Sequence, residues 1–204
     1  CAYIQPDSVA VDFLKHKVKQ PFTIVESDAD FQYAEELFFD VSIIKPQLAA
    51  PNSVDNVCPL SDLAGTPVHQ AYLGSCTGGR AEDIAVAASI LKDKLVNKNT
   101  RFVVVPASRQ VYLEALRNGD VETLLDAGAT FVTPGCAACL GTHEGILAKG
   151  EVCIASTNRN FPGRMGHTQS AVYLGSPASV AAAALTGQIT DPSEILAKLE
   201  KVSS

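Results

Sequence analysis

The chain lacks any long apolar run: none of its hydrophobic stretches approaches the 18 residues that a membrane-spanning helix needs. It also lacks the basic-then-apolar start of a secretory signal peptide. Basic residues are scarce, since 16 Lys and Arg against 22 Asp and Glu give a net charge of −6, which argues against a nucleic-acid partner. We therefore expect a soluble cytoplasmic protein without a membrane partner.

The composition is that of a globular protein. Of the 204 residues, 47% are apolar and 19% are charged, which is enough apolar surface for a substantial core. The sequence contains no low-complexity segment and no short repeat. It begins at Cys1 and not at Met, and we expect it to be a fragment of a longer polypeptide.

Strand-like and helix-like stretches alternate along the chain, and the strands are continuously apolar. Strands are predicted at 22–27, 41–46, 71–75, 101–107, 129–135, 152–156 and 171–176. Helices are predicted at 31–39, 81–96, 109–117, 137–149, 177–186 and 193–201, and a long loop at 47–69. This alternation predicts an α/β fold, a three-layer α/β/α domain with a mostly parallel sheet.

Three unusual stretches each follow a predicted strand, where ligands bind in such sheets. They are GSCTGGR (74–80, the Cys76 turn), PGCAACLG (134–141, the Cys136–Cys139 turn) and STNRNFPGR (156–164, the arginine loop). In the first two, glycine and cysteine precede a predicted helix, whose N-terminus favours a thiolate. Cys76, Cys136 and Cys139 together suit an iron–sulfur cluster with one iron left open to substrate.

Other interpretations of the cysteines remain open. A CxxC pair alone also fits a zinc site or a redox couple, although a second CxxC or a His pair is missing and a redox couple leaves Cys76 without a role. His143 is predicted to be an exposed helical residue, and Cys58 and Cys153 to be buried, inert thiols among apolar neighbours. The Cys76 turn also lacks the GK[ST] ending of a phosphate-binding P-loop.

The arginine loop carries Arg159 and Arg164 around a Phe-Pro-Gly turn. Two such arginines are often solvated surface charges. At the edge of a presumed site, however, guanidinium groups hold carboxylates by paired hydrogen bonds. This placement indicates a small-acid substrate.

These motifs, together with YLGSPASVAAAALTGQITDP (173–192), resemble the aconitase superfamily in order and spacing. Within it, the chain is most similar to the large subunits of 3-isopropylmalate dehydratase and homoaconitase. The resemblance runs through essentially the whole chain, including DVSIIKPQLAAPNSVDNV (40–57).

The resemblance implies a [4Fe–4S] cluster held by Cys76, Cys136 and Cys139, with one iron lacking a protein ligand. Asn158 is similar to the family residue that hydrogen-bonds the cluster, and Arg159 and Arg164 to those that bind substrate carboxylates. The implied reaction is a stereospecific dehydration and rehydration, which moves a hydroxyl group between adjacent carbons of a 2-hydroxy acid. Isomerisation of isopropylmalate in leucine biosynthesis is expected. A tricarboxylate substrate, or a non-enzymatic iron or oxygen sensor, is the alternative.

The chain departs from the family in two ways. The usual motif reads GSCTNGR, and Gly78 stands in place of its Asn, so we expect altered hydrogen bonding around the cluster without its loss. The length is about half that of a family large subunit. The resemblance therefore implies that residues 1–45 end a preceding domain or lead in, 46–69 form a linker, and 70–204 form the cluster-binding domain.

The missing parts carry the expected proton-transfer residues. The family's N-terminal domains hold His and Asp residues, and a small subunit or swivelling domain holds a serine that takes the proton. Both are expected partners, together with a small hydroxy-acid substrate. Within this chain no residue is assigned as acid or base, since neither His143 nor His167 lies in a motif for proton transfer. The chain alone is therefore expected to be inactive.

Overall fold

The computed structural model describes residues 3–193 and 195–197. These residues divide into two compact units, one ending at Ile44 and one starting at Lys45. The predicted domain boundaries themselves stay a prediction. Part of the helix predicted at 193–201 lies outside the described residues.

The described residues of the first unit contain one α-helix, α1 (Ser8–Lys17), and one 3₁₀ turn (Val41–Ile43). Asp7 caps α1 by accepting a hydrogen bond from the Ala10 N–H. The strands predicted at 22–27 and 41–46 are wrong, because neither segment pairs with another strand among the described residues, and the helix predicted at 31–39 is wrong because that segment is not helical. Their apolar side chains, among them Phe38 and Phe39, stay exposed.

The second unit is built on a seven-stranded sheet with the order β2-β1-β7-β6-β3-β4-β5. The strands are β1 (Gln47–Ala49), β2 (Val57–Pro59), β3 (Gln70–Gly74), β4 (Arg101–Val105), β5 (Thr130–Phe131), β6 (Val152–Ala155) and β7 (Ala171–Leu174). Strands β3 to β7 run parallel, and the β1–β2 hairpin joins β7 antiparallel. The prediction of an α/β fold with a mostly parallel sheet is confirmed, and the arrangement is consistent with a three-layer α/β/α domain.

The helices of this unit whose bounds lie fully within the described residues are α2 (Ala81–Leu91), α3 (Arg109–Arg117), α4 (Asp120–Asp126) and α5 (Pro177–Thr186). Helix α3 starts at the Ser108 cap, and α5 starts at the Ser176 cap, with Pro177 in its first turn. On the helical side of the sheet, Leu73 and Ile154 pack with Ile84 of α2.

The other face of the sheet packs against the segment between β5 and β7. Tyr72, Val105 and Cys153 from the strands form one cluster there with Cys139 and Met165. Alternate residues of one strand point to opposite faces, so β3 sends Leu73 to the helices and Tyr72 to this second cluster. The candidate site therefore lies over a buried, well-packed layer.

In the second unit, two predicted elements differ in kind from the structure, and the helix predicted at 81–96 ends earlier, at Leu91. The segment 47–69 is not one loop: β1, β2 and a 3₁₀ turn (Leu60–Leu63) lie within it, with Leu48 and Leu60 buried. The helix predicted at 137–149 stops after a 3₁₀ turn (Ala137–Leu140), because Gly141 has the left-handed φ of +69°. Among the described residues, no helix has both the length and the apolar character needed to cross a bilayer.

Candidate active site

The Cys76 turn connects β3 to α2 in a tight conformation. Ser75 has a φ of +67° and Gly78 a φ of +68°, and Cys76 between them is exposed. A methyl group on Gly74 would lie 2.0 Å from the Val105 carbonyl oxygen, so only glycine allows this approach of the turn to β4. The turn is thereby held against the carboxyl ends of its neighbouring strands.

The hydroxyl of Ser156, directly after β6, closes the Cys76 turn. It accepts a hydrogen bond from the Gly74 N–H at 2.8 Å and donates one to the Gly78 carbonyl at 3.0 Å. Two residues later, the Asn158 side-chain amide donates to the Thr77 hydroxyl at 3.4 Å. No local signal in the sequence points to Ser156, because its two partners are backbone groups about eighty residues away.

The Cys136–Cys139 turn is a single 3₁₀ turn at the carboxyl end of β5. The Cys139 N–H donates to the Cys136 carbonyl at 2.9 Å, and Ala137 between them has a φ of +43°. Cys136 is exposed and Cys139 is buried. Both thiols are free, so the pair is available as a ligand set and is not a disulfide.

A hydrogen bond from Tyr72 links β3 to the Cys136–Cys139 turn. Its hydroxyl donates to the Cys136 carbonyl at 3.1 Å, and its side chain is fully buried. Burial raises the pKa of Tyr72 well above its usual value. The phenol therefore stays protonated and keeps its hydrogen bond to the turn throughout the physiological pH range.

The arginine loop presents its two guanidinium groups differently. Arg159 is exposed, and its Nη1 donates to the Asn158 carbonyl at 2.8 Å. Arg164 is half-buried and lies over the Phe161 ring, with 5.6 Å between its Cζ and the ring centroid. Of the two, Arg164 has the more enclosed setting.

Asn160 fixes the arginine loop to the β1–β2 hairpin. Its side-chain amide donates to the carbonyls of Ala50 at 2.7 Å and Ser53 at 3.2 Å. Its backbone carbonyl accepts from the Asn52 N–H at 3.2 Å. Asn160 is 2% exposed, so these bonds are sheltered from water. The hairpin that was predicted to be a loop therefore supports the arginine loop.

Buried polar atoms without a hydrogen-bond partner among the described residues gather at these loops. They are Ser75 Oγ, Thr157 Oγ1, Asn160 Oδ1 and Arg164 Nε. Ser75 precedes Cys76 and Thr157 precedes Asn158. Because buried polar groups in proteins are normally paired, their concentration at one edge of the sheet is typical of a ligand-binding site.

The structure joins the three loops in pairs. Ser156 and Asn158 contact the Cys76 turn, while Gly141 of the Cys136–Cys139 turn lies against Arg164. Within the described residues, no group of three or more His, Cys, Asp or Glu side chains is close enough to hold one metal ion. The assignment of the three cysteines as ligands stays a prediction.

The donor set nevertheless fits an iron–sulfur cluster. Thiolates are the ligands that such clusters use, and each binds a different iron, so the sulfurs need not converge on one point. A zinc ion would require that convergence. The unpartnered Ser75 and Thr157 hydroxyls next to Cys76 and Asn158 offer hydrogen bonds to a bound group.

The remaining candidates lie apart from this arrangement. Cys153 is buried in β6, where burial raises its pKa to about 12, in agreement with the inert thiol predicted there. Cys58 is only half-buried, and Cys1 lies outside the described residues. His143 is exposed as predicted, but it lies on a loop and not on a helix.

Comparison with known proteins places the chain among relatives of about twice its length. It is 50% identical over 192 residues to the probable methanogen homoaconitase large subunit of Methanosarcina mazei, covering 94% of this chain and 48% of that protein. It is 48% identical over 201 residues to the 3-isopropylmalate dehydratase large subunit of a Sulfurihydrogenibium species, covering 98% and 46%. The chain thus spans about half the length of the curated relatives it matches.

A family model supplies the remaining evidence. The aconitase family (aconitate hydratase) model matches residues 61–187, which include all three loops of the candidate site. The resemblance inferred from the cysteine and arginine motifs is therefore confirmed, and this chain belongs to the aconitase family.

Proposed function

We propose that this chain is the cluster-bearing part of an iron–sulfur hydro-lyase acting on a small 2-hydroxy di- or tricarboxylic acid. The observation that carries the proposal is the meeting of cysteine turns and arginine loop at one edge of a parallel sheet. In the reaction, a hydroxyl group and a proton leave adjacent carbons and return with exchanged positions.

The proposed substrate is isopropylmalate, interconverted between its 2- and 3-hydroxy isomers in leucine biosynthesis. Several relatives near 48% identity are named 3-isopropylmalate dehydratase large subunit. A homoaconitase activity on a tricarboxylate is the second candidate, favoured by the 50% identical relative from Methanosarcina mazei. The two candidates share the hydroxyl transfer and differ in the group next to the reacting carbons.

In this proposal, Cys76, Cys136 and Cys139 hold a [4Fe–4S] cluster. When bound, the cluster supplies a Lewis-acidic iron without a thiolate ligand, which polarises the substrate hydroxyl. The residues around it have separate tasks. Tyr72 holds the Cys136–Cys139 turn through the Cys136 carbonyl, and Asn158 holds Thr77 beside Cys76.

Arg164 and Arg159 are proposed to bind the substrate carboxylates. Arg164 is the stronger candidate, because Phe161 supports its guanidinium and Asn160 anchors the loop that carries it. Its buried Nε has no hydrogen-bond partner in the described part of the chain, and a planar guanidinium can pair with both oxygens of a carboxylate. Arg159 is exposed and would bind the substrate from the solvent side.

Proton transfer is proposed to come from outside this chain. The relatives are named large subunits and are about twice as long, which supports a small-subunit partner and further domains of the same polypeptide. We assign no general acid or base to the described residues. The isolated chain should therefore show no turnover of 2-hydroxy acids, and measurable turnover by it would contradict this division of labour.

Reconstitution tests the cofactor. After anaerobic incubation with iron and sulfide, the chain should turn brown, absorb broadly in the visible range and contain inorganic sulfide. Replacing Cys136 by Ser should abolish this absorption, because a serine oxygen is a poor ligand for iron that prefers sulfur. Cys58→Ser serves as the matched control and should reconstitute normally. Stoichiometric zinc without sulfide would overturn the cluster proposal.

Activity tests the substrate. The complete large subunit, combined with its small subunit and reconstituted, should be assayed against 3-isopropylmalate and homocitrate. A higher kcat/KM for 3-isopropylmalate supports the first candidate and a higher value for homocitrate the second. Loss of both activities in a protein with an intact cluster would contradict the hydro-lyase proposal.

A further inference from the structure

We propose that Ser156 is a positioning residue that sets the conformation of the Cys76 turn. Its hydroxyl binds Gly74 and Gly78, which lie two residues before and two residues after Cys76. One side chain thus holds both ends of the segment that presents the thiol. Ser156 itself is 4% exposed, and its backbone N–H donates to the Tyr72 carbonyl at 3.0 Å, so it is fixed to the sheet.

The task requires a hydroxyl group. Ser156 Oγ accepts from the Gly74 N–H at 2.8 Å and donates to the Gly78 carbonyl at 3.0 Å. Among short side chains, only Ser and Thr can both accept and donate a strong hydrogen bond through one atom. Alanine would leave the buried Gly74 N–H without its partner, and an unmade buried hydrogen bond is costly.

The backbone of the turn is shaped around this side chain. A methyl group on Gly78 would lie 2.4 Å from the Ser156 carbonyl oxygen and 2.6 Å from its Oγ. Gly78 also has a φ of +68°, which glycine adopts without strain. The absence of a side chain at position 78 therefore lets Ser156 approach closely enough to bind the turn.

The residues next to Cys76 are flexible unless the turn is held in place. Three of the seven residues in GSCTGGR are glycines, and such a segment has many conformations unless it is held. Ser156 at both ends and Asn158 at Thr77 hold it. The position of the Cys76 thiol is thus set in part by the loop after β6, together with β4, whose Val105 carbonyl accepts from the Ser75 N–H at 2.9 Å. Its importance for iron binding rests on the proposed function.

The test uses the iron-free chain and three variants, Ser156→Ala, Ser156→Thr and Ser89→Ala. Ser89 is the matched control, an exposed serine of α2 whose hydroxyl donates to the Val86 carbonyl. In S156A, hydrogen exchange at the Gly74 amide should accelerate by about three- to tenfold, since that amide loses its acceptor. S156T should retain protection, and S89A should leave Gly74 unchanged.

The reactivity of the Cys76 thiol provides a second measurement. The rate of Cys76 alkylation, measured by mass spectrometry, should change in S156A while that of Cys136 stays the same. Equal Gly74 exchange and equal Cys76 alkylation in S156A and the unsubstituted chain would overturn the proposal. If S156A does not fold, the unsubstituted chain decides: fast exchange of its Gly74 amide would overturn the hydrogen bond on which the proposal depends.

Reconstitution with iron and sulfide distinguishes a failure of the positioning role from a failure of the proposed function. In the reconstituted chain, S156A should lose visible absorption in air faster than S156T or S89A. If the unsubstituted chain forms no cluster while S156A still alters Gly74 exchange and Cys76 alkylation, the cluster proposal fails and the positioning role stands. If the cluster forms and S156A leaves the exchange and alkylation rates unchanged, the positioning role fails alone.

Discussion

Gly141 lies beside the main chain of Arg164: a methyl group on Gly141 would lie 3.1 Å from the Arg164 carbonyl oxygen. Gly141 ends the 3₁₀ turn that carries Cys139, and Arg164 ends the arginine loop. The thiol turn and the arginine loop are therefore adjacent through their main chains. A displacement of one should displace the other.

This contact can be tested with Gly141→Ala. Alanine at a φ of +69° is strained, and its methyl group would also press on Arg164, so we expect a loss of about 2 kcal/mol in unfolding free energy. Gly150→Ala is the control, since Gly150 has a φ of +80° and no atom within 4 Å of the added carbon; it should lose about 1 kcal/mol. Equal losses in urea unfolding would contradict the contact.

Gly78→Asn introduces the residue that the resemblance led us to expect at this position and should destabilise this chain. Asn tolerates a left-handed φ, but its Cβ would lie within 2.6 Å of the Ser156 side chain. We expect a loss of about 2 kcal/mol from this crowding. Gly119→Asn, at a φ of +82° with open space around it, should change the urea midpoint much less. A neutral Gly78→Asn variant would indicate that Ser156 and the turn rearrange freely.

Arg164→Lys in the complete enzyme should leave the cluster spectrum intact and impair catalysis. Lysine keeps the charge but cannot make the planar two-point contact with a carboxylate. The loss should be about 2–4 kcal/mol, which corresponds to roughly 30- to 1,000-fold in rate. KM should rise with the fall in kcat, because the carboxylate is bound in the ground state too. Arg109→Lys, an exposed arginine of α3, should be unaffected; near-normal kinetics in R164K would leave Arg159 as the anchor.

Low pH should reduce the free energy of unfolding of the chain, because Glu151 becomes protonated. Its carboxylate accepts two hydrogen bonds from Arg101 at 2.8 Å each. These bonds lower its pKa from 4.5 to about 2, and their effect outweighs that of partial burial, which raises the pKa. The contribution of this ion pair to folding stability is complete above about pH 4.5, where Glu151 is ionised in both the folded and the unfolded chain. It is lost as the pH falls toward 2.

Urea midpoints measured from pH 5 to pH 2 check this expectation. Glu151→Gln should flatten the pH dependence in that window, because the titrating group is gone. Glu114→Gln, an exposed glutamate of α3 without an ion pair in the described part of the chain, should keep the dependence. A Glu151→Gln profile that parallels the unsubstituted one would rule out the ion pair as the cause.

Local signals in the sequence predicted the helices that begin at clear caps. Helix α5 starts at Ser176, continues with Pro177 and ends before Gly187, and its predicted bounds match those of the structure. Each of these residues acts on its own helix end. The arginine loop and both cysteine turns were placed for a similar reason, since each directly follows an apolar strand.

Pairing that depends on distant residues could not be predicted. The apolar segment 22–27 has strand-like composition, but strand formation depends on a partner and not on composition alone. Conversely, β1 and β2 have only three residues each and are recognised through their pairing. The supporting roles of Tyr72, Ser156 and Asn160 were missed because each binds a backbone group far away in the chain.

The order of the strands in the sheet has a consequence for folding. The bonds that define the candidate site join residues 64 positions apart, from Tyr72 to Cys136, and 82 positions apart, from Gly74 to Ser156. Such distant pairs form late, because closing a long loop costs entropy before its contacts repay it. Cys76 and Cys136, which remain exposed in the folded chain, are thus carried by turns that lack these bonds until the sheet is complete. During synthesis or refolding, these thiols are open to oxidation, so reducing conditions are needed well before iron is supplied.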